Sequence, residues 1–170
     1  MNTEEMKNFM NAIDLNVPPK SNLYRHLMSK PEGVGRVYNK SYVTDSNPIK
    51  IMERLYFEWH HYYTLALFKD PSKRTKREIV ASSGLYVDID EKESRIDGKV
   101  GYDLILYAIE KAKLPEPSIV VHTGGGWHLY WLFQELYYFD DPKDLEIYEA
   151  TIASIINCLS LIGADPKAKD

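Results

Sequence analysis

At 170 residues, 44% of them hydrophobic and 27% charged, the chain has the length and composition of an ordinary globular domain able to bury a sizeable core. A formal net charge of −4 excludes a protein that grips nucleic acid chiefly through charge, since such domains carry a basic footprint. One cysteine, Cys158, excludes an internal disulfide framework and a cysteine-built zinc site within this sequence, and no run reaches the roughly 20 apolar residues of a membrane-spanning helix.

The start, Met1 to Phe9, is polar and acidic without the apolar segment of a secretion signal, so a cytoplasmic protein of one domain, with no membrane partner, is expected. Residues 3 to 13 read as an amphipathic helix: Thr3 can cap it, Glu4 and Glu5 suit its positive end, and Met6, Phe9, Met10 and Ile13 share a face. Pro18-Pro19 closes it. Ser21 is read as the cap of a second short helix through Met28, and Gly33 to Tyr38 as a strand entered through glycines. Asn47-Pro48 opens a further helix to about Trp59, and Tyr62 to Phe68 reads as a strand. His60 and His61 are adjacent, so on a regular element they cannot face one ligand, and no metal role is assigned to them.

The one dense basic run lies between Lys69 and Arg77. Lys73, Arg74, Lys76 and Arg77 could contact a template phosphate backbone or simply form a solvated loop. Beyond it the order of elements becomes informative: a strand from Leu85 to Asp90, a polar loop to Lys99, and a helix from about Val100 to Lys113 with Val100, Leu104, Tyr107 and Ala108 on one side. Ser118 to His122 is a second strand, Thr123 to Gly126 a turn, and Trp127 to Phe133 a third strand. Asp141-Pro142 starts a long helix in which Leu145, Tyr148, Ile152, Ile155 or Ile156, Leu159 and Ile162 recur, with Cys158 read as core and Gly163 as the stop.

Chemistry concentrates at Leu85-Tyr86-Val87-Asp88-Ile89-Asp90. Alternation on a strand sends Leu85, Val87 and Ile89 to one face and Tyr86, Asp88 and Asp90 to the other. The two carboxylates then stand roughly 6.5 to 7 Å apart along the strand, a repulsive arrangement that a divalent cation relieves. A calcium EF-hand loop is excluded because Lys92 and Glu93 stand where Asp or Asn and Gly are needed, and Lys92 also disfavours a haloacid-dehalogenase-type phosphatase. The glycine turn lacks the Gly-Lys-Ser/Thr ending of a P-loop and leads into a strand, yet its glycines let a backbone approach a phosphate closely.

Strand, helix, strand, strand, helix is most of the split βαβ plan of ferredoxin-like, RRM-like α+β domains. In that plan the third strand lies antiparallel between the first two, so His128 adjoins Asp88 and Asp90. A fourth strand on the other side of the first would bring Asp165 to the same edge.

Taken together, Tyr86-Val87-Asp88-Ile89-Asp90, Ser118 to Trp131 with His122-Thr123-Gly124-Gly125-Gly126-Trp127-His128, and Leu161-Ile162-Gly163-Ala164-Asp165 resemble the three motifs of the archaeo-eukaryotic primase superfamily. Within it they are most similar to the primase-polymerases of plasmids, phages and other mobile elements. The resemblance covers about residues 60 to 170, and it implies a palm over 61–170 preceded by a helical or mixed extension over 1–60. It also implies that Asp88, Asp90 and Asp165 hold two divalent ions, Mg²⁺ or Mn²⁺. His128, with Thr123, Gly124, Gly125 and Gly126, would bind the phosphates of an incoming NTP or dNTP. The implied activity is template-directed DNA primase or polymerase chemistry on single-stranded DNA template and primer, with a helicase or other replication partner possible. Many members carry Ser where this chain has Gly126, which leaves Thr123 as the nearby hydroxyl, and members usually continue past the third motif, so a fragment lacking its C-terminal part is expected.

Two other classes fit parts of the pattern. A non-catalytic single-strand-binding module of the same sheet type would stack bases on Tyr86, Tyr130 and Trp127. A metal-dependent glycosyltransferase would use Asp88 and Asp90 on a nucleotide-sugar.

Overall fold

The computed structural model describes residues 3–18, 21–30, 38–43 and 60–169. The chain divides into two compact units, Met1–Ser83 with Gln134–Phe139, and Gly84–Phe133 with Asp140–Asp170. It is an α+β protein. Its helices are α1 (Thr3–Asp14), α2 (Tyr102–Lys111) and α3 (Pro142–Cys158), and its strands are β1 (Tyr24–Lys30), β2 (Tyr38–Val43), β3 (His60–Tyr63), β4 (Ala66–Phe68), β5 (Ile79–Asp90), β6 (Ile119–His122) and β7 (Gly126–Tyr138). No helix among the described residues is long and apolar enough to cross a membrane.

In the first unit α1 forms where its apolar spacing places it, burying Phe9, Met10 and Ile13, with the Phe9 ring 4.8 Å from that of Tyr63; Leu27, Leu67 and Phe68 are buried in the same unit. The helix expected from Ser21 to Met28 is instead the strand β1, paired antiparallel with β2, β3 and, at Tyr24, β4. The cause is Arg25. Its side chain is fully buried, with Nε on Asp14, Nη1 on the Thr64 and Leu65 carbonyls, and Nη2 on the Ile13 carbonyl and the Ser83 hydroxyl. A buried guanidinium with every donor engaged fixes the chain around it, and an extended β1 is what delivers it there. The single strand expected from Tyr62 to Phe68 is likewise two strands, β3 and β4, separated at Thr64 and Leu65, whose carbonyls Arg25 occupies. The strand expected from Gly33 to Tyr38 lies outside the described residues except for Tyr38, which opens β2, and the helix expected from Asn47 to Trp59 lies outside them altogether.

The second unit contains the C-terminal part of β5, the N-terminal part of β7, β6, α2 and α3. Here β7 lies between β5 and β6. It runs antiparallel to β6 with Val121 opposite His128 and His122 opposite Trp127. Leu85, Val87 and Ile89 of β5 and Leu129 and Trp131 of β7 are buried against Ile105 and Ile109 of α2 and Ile152, Ile155 and Ile156 of α3. Two indole N–H groups pin the edges of this layer: Trp127 Nε1 donates to the Val100 carbonyl and Trp131 Nε1 to the Pro115 carbonyl, each at 2.7 Å.

The helices correct two details of the sequence reading. Tyr107, expected on the packed side of α2, is exposed, because the buried stripe runs through Ile105 and Ile109 with Leu104 and Ala108 at its margin. Cys158, expected in the core, is also exposed, since it lies off the stripe of Ile152, Ile155, Ile156 and Leu159. α3 starts as its sequence dictates, with Asp141 and Asp144 forming a reciprocal capping box around Pro142. It ends at Cys158, followed by a single 3₁₀ turn, Ser160–Ile162, that Gly163 terminates with φ +96°.

Candidate functional site at one edge of the second unit

The alternation along β5 is realised: Leu85, Val87 and Ile89 are buried, whereas Tyr86, Asp88 and Asp90 are partly exposed on the opposite face. Backbone hydrogen bonds then hold the acidic end of this strand from both sides. On one side the Glu91 N–H donates to the Gly125 carbonyl at 3.1 Å. On the other, the Asp90 N–H donates to the Gly163 carbonyl at 2.9 Å and the Asp165 N–H to the Asp88 carbonyl at 2.8 Å, around an antiparallel bridge between Ile89 and Ala164. The segment that carries Asp165 therefore lies alongside Asp88 and Asp90, although it is one bridge long and continues as a 3₁₀ turn, Pro166–Lys169.

Glycine makes these approaches possible. A Cβ on Gly126 would overlap the Ile89 carbonyl oxygen, and one on Gly163 would overlap that of Asp90. Gly124 is needed for a different reason, a φ of +90° that side-chain-bearing residues rarely adopt. Gly125 has neither constraint, with open space where a Cβ would sit. Thr123, exposed at the other end of the turn, closes it by donating its N–H to the Gly126 carbonyl at 2.9 Å.

His128 stands over this edge, its Nε2 3.6 Å from Oδ1 of Asp88. Its ring meets Tyr86 edge-on at 5.2 Å, and its Nδ1 lies 3.3 Å from the Tyr130 hydroxyl. Tyr86 and Tyr130 contact each other at 5.2 Å between ring centres. Four side chains on alternate positions of β5 and β7 thus form one polar and aromatic cluster. The Tyr130–His128 hydrogen bond escaped the sequence reading, although the signal was available in the i, i+2 spacing that places both on one face of β7.

Burial sets the electrostatics. It raises the Asp88 pKa from the usual 3.8; His128 and a hydrogen bond from Tyr86 pull it down, while the charges of Asp165 and Asp90 push it further up. Burial also lowers the His128 pKa from the usual 6.5, outweighing the attraction of Asp88. Burial therefore favours the neutral ring, in which one nitrogen donates and the other accepts.

Among the described residues no three His, Cys, Asp or Glu side chains form a ready cluster of metal ligands. Asp90 and Asp165 each engage one oxygen with a nearby backbone N–H, from Lys92 and Lys167 respectively, at 2.9 Å. The donor chemistry nevertheless suits hard divalent ions: carboxylate oxygens only, with Asp165 and Asp90 both acting on Asp88 as like charges that a cation would relieve. The basic residues Lys73, Arg74, Lys76 and Arg77 belong to the first unit, exposed in the loop before β5, where Lys73 Nζ pairs with Asp70 at 3.3 Å.

In class, this is an α+β protein whose second unit brings an acidic strand end and a histidine to one edge. No protein-family model matches it and no curated protein does either. Among solved structures it is similar to the AEP domain of the primase-polymerase of cyanophage S-2L, with a TM-score of 0.56 and 18% identity over 89% of this chain and 72% of that one. At that identity the likeness is one of fold.

Proposed function

We propose that this chain is a template-directed nucleotidyltransferase of the primase-polymerase kind, built on a ferredoxin-like split βαβ palm. It would act on nucleoside triphosphates with a single-stranded DNA template and primer. The observation that carries the reading is the backbone clamp on β5, which sets Asp88 and Asp90 beside Asp165 and under His128. The fold likeness to a primase-polymerase domain supports it.

Asp88, Asp90 and Asp165 would hold two divalent ions, which when bound lower the pKa of a primer hydroxyl and neutralise the charge growing on pyrophosphate. The chain's own part is positioning. The clamp fixes where the carboxylates stand before substrate arrives. His128 presents a ring N–H to a phosphate oxygen, and the open backbone at Gly125 allows a phosphate to come close to its N–H. Purified protein given a single-stranded template, with and without primer, labelled nucleotides and Mg²⁺ or Mn²⁺ should yield extended products. Asp88→Ala and Asp165→Ala should lower incorporation about a thousandfold or more with the thermal unfolding transition retained. Near wild-type turnover in either variant would refute the assignment, and single-strand binding indifferent to chelators without any product would favour a binding module.

A further inference from the structure

We infer that the first unit carries a binding surface for a single-stranded nucleic acid, made by the basic loop before β5 together with Tyr62 of β3. The inference rests on the nucleotidyltransferase reading only in calling the bound strand a template. Between Lys69 and Arg77 five exposed cations accompany a single carboxylate, Asp70, in a chain whose net charge is −4. A local excess of this kind directs a polyanion to the loop and not to the surface at large. Lys69 pairs with Glu78 at 3.8 Å and Lys73 with Asp70 at 3.3 Å, whereas Arg74 and Arg77 have no carboxylate at ion-pair distance among the described residues. The loop backbone is also tied down. The Lys69 N–H donates to the Glu78 carbonyl at 3.0 Å and the Glu78 N–H to that of Thr75 at 2.9 Å, while the Lys73 carbonyl lies 3.2 Å from Nε2 of the buried His26. Cations displayed on an already ordered backbone lose less entropy when a ligand engages them.

The sheet face beside the loop separates this surface from a solvated charge run. The Arg74 guanidinium rests on the Met28 sulfur, and Met28 lies directly opposite Tyr62 in the β1–β3 ladder. Directly opposed side chains project to the same face of a sheet, so Arg74 and the Tyr62 ring share one surface. Tyr62 is 47% exposed, a flat ring presented on strand backbone next to a guanidinium. Cations that take phosphates beside a ring that stacks an unpaired base are what hold a single strand without reading its sequence. A duplex keeps its base faces stacked inside and offers this ring nothing.

The two parts of the surface have different signatures in solution. Fluorescence anisotropy of a labelled oligodeoxythymidine of about 20 residues, in EDTA and without nucleotide, should show saturable binding whose logarithm falls linearly with that of the salt concentration. Replacing Arg74, Lys76 and Arg77 together by alanine should make that slope shallower by about 2, and Arg77→Ala alone by about 0.7, the share of one phosphate contact on a single strand. Tyr62→Ala should weaken binding about fivefold or more with the slope unaltered, because a stacked base releases no counterions, and Tyr62→Phe should stay within about twofold of the parent. Neither Tyr62 variant should change the affinity for a duplex of the same length by more than about twofold. All these side chains are exposed, so the circular dichroism spectra should match the parent's. Absence of binding, a slope that the triple substitution leaves unchanged, or an affinity that Tyr62→Ala leaves unchanged overturns the inference. So does displacement of the oligonucleotide by phosphatidylserine vesicles, which would make the loop a general anionic-surface contact. If binding behaves as expected but the protein incorporates no nucleotide, the surface stands and the polymerase reading fails.

Discussion

Gly125 and Gly126 are neighbours with opposite duties. Gly126 is dictated by packing, because any Cβ there runs into the Ile89 carbonyl between β7 and β5. Gly126→Ala should cost about 1–3 kcal/mol in urea-induced unfolding, the range of overpacking, and should displace the strand that carries His128. Gly125→Ala meets open space at an ordinary φ, so its unfolding free energy should stay within about 0.5 kcal/mol of the parent. If the turn receives a triphosphate, Gly125→Ala will nonetheless raise KM for the nucleotide, separating a glycine the fold needs from one the ligand needs. The sequence presents the triplet as uniform; only the approach of β5 tells its members apart.

Elements differ in how openly the sequence declares them. The half of β5 that bears the acids is legible because one face is packed and the other wet, and α3 because its cap, its apolar recurrence and its terminating glycine agree. β1 is not legible. Arg25, His26, Leu27 and Ser29 are all buried, so a strand covered on both faces leaves no alternation to read, and two of its buried residues are basic. What determines it is the set of partners Arg25 finds on α1, on the β3–β4 connection and on β5. Arg25→Met should therefore destabilise the first unit by about 3–5 kcal/mol, since Asp14 loses its ion partner and several carbonyls lose their donors. Hydrogen exchange would show the protection loss in α1 and β1, whereas an unchanged exchange pattern would remove Arg25 from this role.

For the molecule as a whole, two of the described histidines, His26 and His128, contribute to how stability depends on pH near 6.5. His26, buried with its Nε2 3.2 Å from the Lys73 carbonyl and its ring against Phe68, has its pKa lowered from 6.5 first by burial, as His128 does. Groups depressed in this way bind more protons in the unfolded chain, so their stability is complete above pH 6.5 and is lost as pH falls below it toward the folded values. Asp88 and Asp14, both raised first by burial, act with the opposite sign, their contributions present below 3.8 and lost as pH rises through the folded values, so a decline on acidification just below 6.5 comes from the histidines. The urea midpoint should be lower at pH 5.5 than at pH 7.5, and His26→Phe should shrink that difference. A difference between the two pH values that His26→Phe leaves unchanged would remove His26 from this role.

The sequence by itself determined the alternation of β5, with Asp88 and Asp90 on one face, and the order of elements from Leu85 to Gly163, because period, capping and turn chemistry are local properties of neighbouring residues. Only the tertiary structure decided that Asp165 reaches Asp88 through a single bridge, that Gly126 and Gly163 have no room for a side chain, and that Tyr130 faces the far nitrogen of His128. Those facts depend on how closely segments distant in the chain approach one another, and backbone spacing between strands is written in no stretch of residues taken alone.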